Sequence, residues 1–123
     1  MLSKNQGLKM RDETTCIEIY RTKTKPNDDM TRHDIHKMAL EQGQLGIGYH
    51  YVIQLDGTVE IGRPIDKIGI GDLTAVCICV VGGLNEDGQL ELPFFTDAQQ
   101  KALEILKIEL ISLYPIQRTV TIQ

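Results

Sequence analysis

The sequence is poor in the features that mark membrane and secreted proteins. Tryptophan is absent, aromatic residues make up 5% of the 123 residues, and cysteine occurs 3 times. No apolar run approaches the roughly 20 residues that a membrane-spanning helix needs. Residues 1–7 are too polar to form the apolar part of a signal peptide. We therefore expect no membrane segment and a protein that stays in the cytoplasm.

An excess of positive charge is also missing. The net charge is -4 and the isoelectric point is near 5.3, whereas binding to phosphate backbones depends on clustered Lys and Arg side chains. The one basic run contains Arg21, Lys23 and Lys25, and the acidic pair Asp28 and Asp29 follows closely and largely cancels its field. The charge pattern argues against nucleic acid as a direct partner and predicts a solvated loop at residues 21–29.

The three cysteines do not form a recognisable metal or redox motif. Cys77 and Cys79 alternate with apolar residues, and the period of a β-strand puts both on one face. Zinc sites built on cysteine more often use Cys-x-x-Cys spacing or a nearby His. We predict buried, small hydrophobic side chains at these positions.

Two helices are predicted from their capping signals. Thr31 and Asp34 form the signature of a capping box, so the first helix begins near Arg32, and Gly43 ends it. Its predicted apolar face comprises Ile35, Met38, Ala39 and Gln42.

The second helix follows Thr96, with Gln99 at the third helical position, and Pro115 prevents its continuation. Its predicted apolar positions are Ala102, Leu103, Ile105, Leu106, Leu110 and Leu113.

Strands are predicted at residues 16–20, 49–55, 58–61, 75–81 and 118–122. The dipeptide Asp56-Gly57 suits a type I′ hairpin turn between the second and third strands. Residues 75–81 are almost wholly apolar, as expected of a central strand covered on both faces. Residues 1–123 are therefore expected to form one α/β or α+β domain with a mixed sheet.

Four stretches carry a resemblance to a known family. They are GYHYVI at 48–53, DGTVEIGRP at 56–64, CICVVGG at 77–83 and FTDAQ at 95–99. Their order resembles that of the type 2 N-acetylmuramoyl-L-alanine amidases, the superfamily of the phage lysozymes and peptidoglycan recognition proteins. The resemblance implies a central mixed sheet flanked by helices. It also implies a zinc ion, held by two His and one Cys or Asp, that activates water for amide hydrolysis.

The zinc ligands do not carry over to this sequence. The first ligand position corresponds to Tyr20, and a phenol is a poor zinc ligand because its ordinary pKa is near 10. The other two ligands, and a lysine that assists catalysis, follow the last strand in the family, whereas this sequence ends at Gln123. The substrate-groove loop is shortened to residues 68–74. Tyr49 is the family tyrosine that is retained, so we predict no catalytic residue, no metal and no cofactor.

Other side chains do not suggest a replacement site. His33 and His36 are three residues apart but lie off the apolar stripe of the first helix, and His50 is expected to be a core histidine. Neither Cys16 nor Cys79 has a nearby base in the sequence that would favour a thiolate.

The resemblance supplies a precedent for a non-catalytic role, because small phage amidases of this type can also bind and inhibit the phage RNA polymerase. We therefore predict a catalytically inactive, phage-encoded protein that binds and inhibits a protein partner, either RNA polymerase or a host defence complex such as a CRISPR effector. Two alternatives remain open: a muropeptide-binding module without hydrolysis, with a peptidoglycan fragment as partner, and a remnant or fragment of a zinc-dependent endolysin. Candidate binding residues lie in three loops: Arg21, Lys23, Lys25, Asp28, Ile70, Asp72, Glu86 and Asp87.

Overall fold

The computed structural model describes residues 8–90 and 95–122. The segment used for the signal-peptide prediction, residues 1–7, lies outside the described residues, as does Gln123. The elements in chain order are β1 (Cys16–Arg21), α1 (Arg32–Glu41), β2 (Tyr51–Ile53), β3 (Val59–Ile61), β4 (Ala75–Val80), α2 (Asp97–Leu113) and β5 (Arg118–Thr121). Within the described ranges, no helix is long and apolar enough to cross a membrane.

The strands form one mixed sheet in the order β3-β2-β4-β1-β5. The β2–β3 pair is antiparallel, and β4 runs parallel to both of its neighbours, β1 and β2. Every residue of β4 is buried, as its apolar sequence requires of a strand in the middle of the sheet. The predicted fold class and the central position of this strand are confirmed.

A helix covers each face of the sheet. On one face, α2 inserts Leu103, Leu106 and Leu110 against side chains of β1, β2 and β4. On the other face, Ile35 of α1 joins a smaller cluster with Val52 and other apolar residues. The sheet is therefore the middle layer of three.

Both predicted helix starts are confirmed, because both capping boxes form. The Thr31 side chain accepts a hydrogen bond from the Asp34 N–H, and the Thr96 side chain accepts one from the Gln99 N–H. Each third residue returns a bond to the backbone N–H of its cap. Gly43, with φ of +81°, lies directly after the cap residue of α1, as predicted.

The predicted apolar faces of the helices are too wide. Ile105 and Leu113 of α2 are 59% and 65% exposed, and Met38 of α1 is 45% exposed. The buried residues of α2 form a narrow stripe at positions 99, 103, 106 and 110, because the sheet contacts one side of a straight helix.

The hairpin is present, but its predicted turn type is wrong. A type I′ turn needs positive φ at both central residues. Gly57 has φ of +88°, whereas Lys23 is the only non-glycine residue with positive φ in the described ranges. The Gly57 N–H donates to Gln54 O, and the Gln54 N–H donates to Thr58 O. Residues 55–57 therefore form a three-residue loop that ends in a left-handed glycine.

Candidate functional site

A cleft of about 210 Å³ lies between α1 and the sheet. Its apolar wall consists of Met30, Ile35, Met38, Ala39, Tyr49 and Ile70. Its polar lining comes from Arg21, Thr22, Gln42 and Gln44. Apolar walls with a few polar groups are the lining that ligand sites usually have.

Two tyrosines lie side by side next to this cleft. Tyr20 is on β1 and Tyr49 precedes β2, and their ring centroids are 5.3 Å apart. Burial raises the pKa of Tyr49 to about 12. Burial, followed by the hydrogen bond to Glu18, also raises the pKa of Tyr20. Both phenols are therefore protonated at neutral pH.

A buried carboxylate supports the first of these tyrosines. Glu18 is 8% exposed, and its Oε1 accepts a hydrogen bond from the Tyr20 hydroxyl at 2.9 Å. The same oxygen accepts one from the Asp72 N–H at 3.1 Å. Glu18 was not predicted as a site residue, although a Glu between two isoleucines of a strand is a visible signal.

The loop at residues 68–74, hereafter the 68–74 loop, lies against this pair. The Ile68 N–H donates to Lys9 O at 2.8 Å, and the Ile70 N–H donates to Gly48 O at 2.9 Å. At its far end, Asp72 contacts Arg118 of β5 at 3.3 Å. The 68–74 loop is thus tied to three separate parts of the chain.

His50 lies beneath the same loop and connects two parts of the backbone. It was predicted to be a core histidine, and it is buried. It is 1% exposed, and its Nδ1 accepts from the Cys77 N–H at 2.9 Å. The ring proton is therefore on Nε2, which donates to Lys67 O at 2.7 Å. Burial, with Arg11 and Arg63 adding to it, lowers the pKa of His50 to about 4.

The described residues do not fit the zinc site of the amidases. Within them, no group of three His, Cys, Asp or Glu side chains could hold a metal ion. Tyr20, at the expected first position, is a protonated phenol that donates to Glu18. Both nitrogens of His50 lie within hydrogen-bonding distance of backbone groups. None of the described side chains is therefore assigned to a metal.

The predicted binding residues do not form one surface. Arg21 and Ile70 both line the cleft, and Lys25 and Glu86 border a separate surface depression. Lys23, Asp28, Asp72 and Asp87 are exposed at scattered positions, and their binding roles stay predictions. The solvated character predicted for Arg21 is wrong: it is the last residue of β1 and is 7% exposed, because its side chain turns toward the cleft.

Phage proteins are similar to this chain over most of its length. The endolysin of Klebsiella phage KP32 is 40% identical over 104 residues, which cover 81% of this chain and 68% of that protein. The endolysin of Escherichia phage T7 is 34% identical over 112 residues, 86% of this chain and 72% of that protein.

The chain belongs to the phage endolysin family. Its fold agrees with this membership, since the amidase LysC from Clostridium intestinale superposes with a TM-score of 0.81 at 26% identity, covering 98% of this chain and 78% of LysC. Drosophila PGRP-LB shares the fold, with a TM-score of 0.72 at 18% identity over 94% of this chain and 73% of that protein. No protein-family model matches the sequence.

The endolysin relatives overturn the predicted function. A catalytically inactive inhibitor of RNA polymerase or of a host defence complex was expected, and that prediction is wrong, because the relatives at 34–40% identity are endolysins and the superposed LysC is an N-acetylmuramoyl-L-alanine amidase. The substitution at Tyr20 does not by itself show a change of function in a chain this similar to endolysins. The endolysin alternative is the better supported of those left open.

Proposed function

We propose that this chain is an endolysin that binds peptidoglycan and cleaves the amide bond between the N-acetylmuramic acid lactyl group and the first residue of the stem peptide. The observation that carries the proposal is the 34–40% identity to phage endolysins over more than four-fifths of the chain. LysC, an N-acetylmuramoyl-L-alanine amidase, superposes over 98% of the chain and supports the same bond specificity.

The cleft beside Tyr49 is the proposed site for the stem peptide. Its apolar lining includes Met38, Ala39 and Ile70, which suit the short aliphatic side chains of such a peptide. Gln42 and Gln44 offer amide groups that can pair with a peptide backbone at the rim. The Tyr49 phenol stays protonated at neutral pH, so it is able to donate a hydrogen bond to a substrate carbonyl.

The test is release of stem peptides from purified peptidoglycan. The protein is incubated with peptidoglycan, once with added zinc and once after treatment with a chelator, and the soluble products are identified by mass spectrometry. The metal content of the purified protein is measured in parallel. We expect free stem peptides with a new N-terminal alanine amine, which distinguishes amide hydrolysis from cleavage of the glycan.

Tyr49→Phe is the matched variant for this assay, because it removes a hydroxyl and keeps the ring. We expect peptide release to fall about tenfold or more, since a positioned donor contributes on that scale or above. An unchanged rate of peptide release in the variant would show that the Tyr49 hydroxyl has no role in the reaction. Binding of muropeptides without release of any peptide, under both metal conditions, would overturn the hydrolase and leave a muropeptide-binding protein.

A further inference from the structure

Glu18 is unusual for its position in the sheet. Its neighbours on β1, Ile17 and Ile19, are 0% and 3% exposed, and Glu18 itself is 8% exposed. Burial of a carboxylate is costly unless hydrogen bonds replace its water. A carboxyl group buried between two apolar side chains of the same strand calls for a role beyond packing.

The hydrogen bonds of Glu18 converge on one oxygen. Oε1 accepts from the Tyr20 hydroxyl at 2.9 Å and from the Asp72 N–H at 3.1 Å, and the Cys77 thiol lies 3.7 Å away. The bond to the Asp72 N–H is the one that joins this carboxylate to the 68–74 loop.

The loop fits closely around this carboxylate. A Cβ atom at Gly71 would overlap both Glu18 Oε1 and the Tyr20 hydroxyl, so only a glycine lets the backbone come so near. The Ile70 N–H donates to Gly48 O, and a Cβ at Gly48 would lie 2.7 Å from Ile70 Cβ. The backbone on both sides of Ile70 is thereby held in place.

Ile70 is the residue that this arrangement presents to the cleft. It is 46% exposed, although both of its flanking residues are glycines that contact buried groups. With Met38 and Tyr49 it belongs to the apolar lining of the cleft. Asp72, whose N–H donates to Glu18, is two residues from Ile70 in the same loop.

We propose that Glu18 is a positioning residue that fixes the 68–74 loop through the Asp72 amide, so that Ile70 forms the wall that selects a short aliphatic side chain of the stem peptide. The part of this inference that concerns the ligand rests on the proposed function. The part that concerns the loop does not, because it can be measured without any ligand.

The first measurement is amide hydrogen exchange of the free protein by NMR. In Glu18→Leu, which removes the acceptor, we expect the Asp72 amide to exchange at least about tenfold faster. The amides of Ile17 and Val76, which report global stability, should change clearly less. Glu18→Gln retains an uncharged acceptor, so its Asp72 amide should exchange at a rate between those of Glu18→Leu and the original protein. Tyr20→Phe is the matched control: it removes another donor to the same oxygen and should leave the Asp72 amide within about twofold of the original rate.

The second measurement is the Kd for a purified disaccharide-peptide muropeptide by calorimetry. Glu18→Leu and Ile70→Ala should each weaken binding about fivefold or more. The double variant should bind no more weakly than Ile70→Ala, because Glu18 acts through Ile70. Additive losses would show that Glu18 influences binding by another route, and the proposal would fail.

Different results would overturn the positioning role of Glu18 and the proposed ligand. An unchanged Asp72 amide in Glu18→Leu, or equal acceleration of all sheet amides, would overturn the positioning role. If Glu18→Leu does not fold, the comparison of Glu18→Gln with Tyr20→Phe decides the same question. Absence of muropeptide binding by the unmodified protein would instead overturn the proposed function and the ligand part, with the exchange result on the loop still valid.

Discussion

Among single residues, the buried polar side chains connect chain segments that are distant in sequence. His50 joins β4 to the loop at Lys67, and Gln99 joins α2 to two strands. Each is 1% exposed and has its polar atoms paired. A buried polar group stabilises a fold only in the protonation state and geometry that its partners require. Substitutions and pH changes at these residues should therefore have large effects.

His50 should make the protein less stable in acid. Its pKa is about 4 in the folded protein and 6.5 in the unfolded chain, so the unfolded chain binds more protons between these values and stability rises with pH there. The contribution is complete above about pH 6.5 and is lost as the pH falls through 4. The difference between the two pKa values corresponds to about 3 kcal/mol in the free energy of unfolding. Urea unfolding at pH 7 and pH 4.5 measures this change.

His50→Gln is the control for this pH dependence. The Gln side chain can still donate to Lys67 O but does not titrate. We expect the variant to be less stable at pH 7 and to lose clearly less stability than the original protein between pH 7 and pH 4.5. Equal losses in the two proteins would assign the acid sensitivity to other groups.

Gln99 should not tolerate a carboxylate. Its Nε2 donates to Val81 O at 2.7 Å and to Ile53 O at 3.3 Å, while its Oε1 accepts from the Thr96 N–H. Gln99→Glu would direct a charged acceptor at two carbonyl oxygens in a buried site, at a cost of about 3 kcal/mol or more at pH 7.

The neighbouring substitution Gln100→Glu is the matched control, because Gln100 is exposed on the same turn of α2. Chemical denaturation should show a change within about 0.5 kcal/mol for this variant. The loss in Gln99→Glu should also shrink at acidic pH, where the carboxyl is protonated. A loss that does not depend on pH would contradict the electrostatic explanation.

Among the secondary-structure elements, the two helices are capped alike but connected differently. Thr31 and Thr96 both complete a capping box. The Thr96 hydroxyl also donates to Leu55 O at 2.8 Å, in the hairpin loop, whereas the Thr31 hydroxyl contacts Asp34 of its own helix. The cap of α2 is therefore part of the tertiary structure.

Replacement of each cap by alanine should reveal this difference. We expect Thr31→Ala to lower the free energy of unfolding by about 1 kcal/mol and Thr96→Ala by about 2 kcal/mol, because the second variant also loses the bond to the hairpin. Thr96→Ser should restore most of the loss. The comparison is made by urea denaturation at pH 7, and equal losses in the two alanine variants would contradict the tertiary role.

The elements were predictable where their signals are local. Capping residues such as Thr31 and Thr96, and the glycine at position 57, lie within a few residues of the structure that they determine. Glu18 was missed and Arg21 was misjudged because the burial of each depends on residues outside β1. The 68–74 loop contacts Glu18, and residues between Met30 and Ile70 line the cleft beside Arg21. Tyr49 was singled out by its sequence motif and lines the cleft, and its role there stays a prediction. Glu18 and Arg21 carried no comparable local signal, because distant contacts bury them.

For the whole molecule, the sheet order places the candidate site on the best protected strands. Glu18 and Tyr20 lie on β1, which pairs with β4 on one side and with β5 on the other. The edge strand β3 is largely exposed, with Ile61 at 70%. Side chains on such a rigid support keep their positions more precisely than side chains on a loop.

Native-state hydrogen exchange should show this difference in protection between the central strands and the edge strand β3. We expect amides of β1 and β4, such as those of Ile17, Ile19 and Ile78, to exchange only through global unfolding, since these residues are 0–3% exposed in the core. Amides of β3 should exchange through local opening, with a free energy that is lower and less sensitive to denaturant. If β1 instead opened as easily as β3, the positions of Glu18 and Tyr20 would fluctuate with it, and the cleft wall at Ile70 would lose its fixed support.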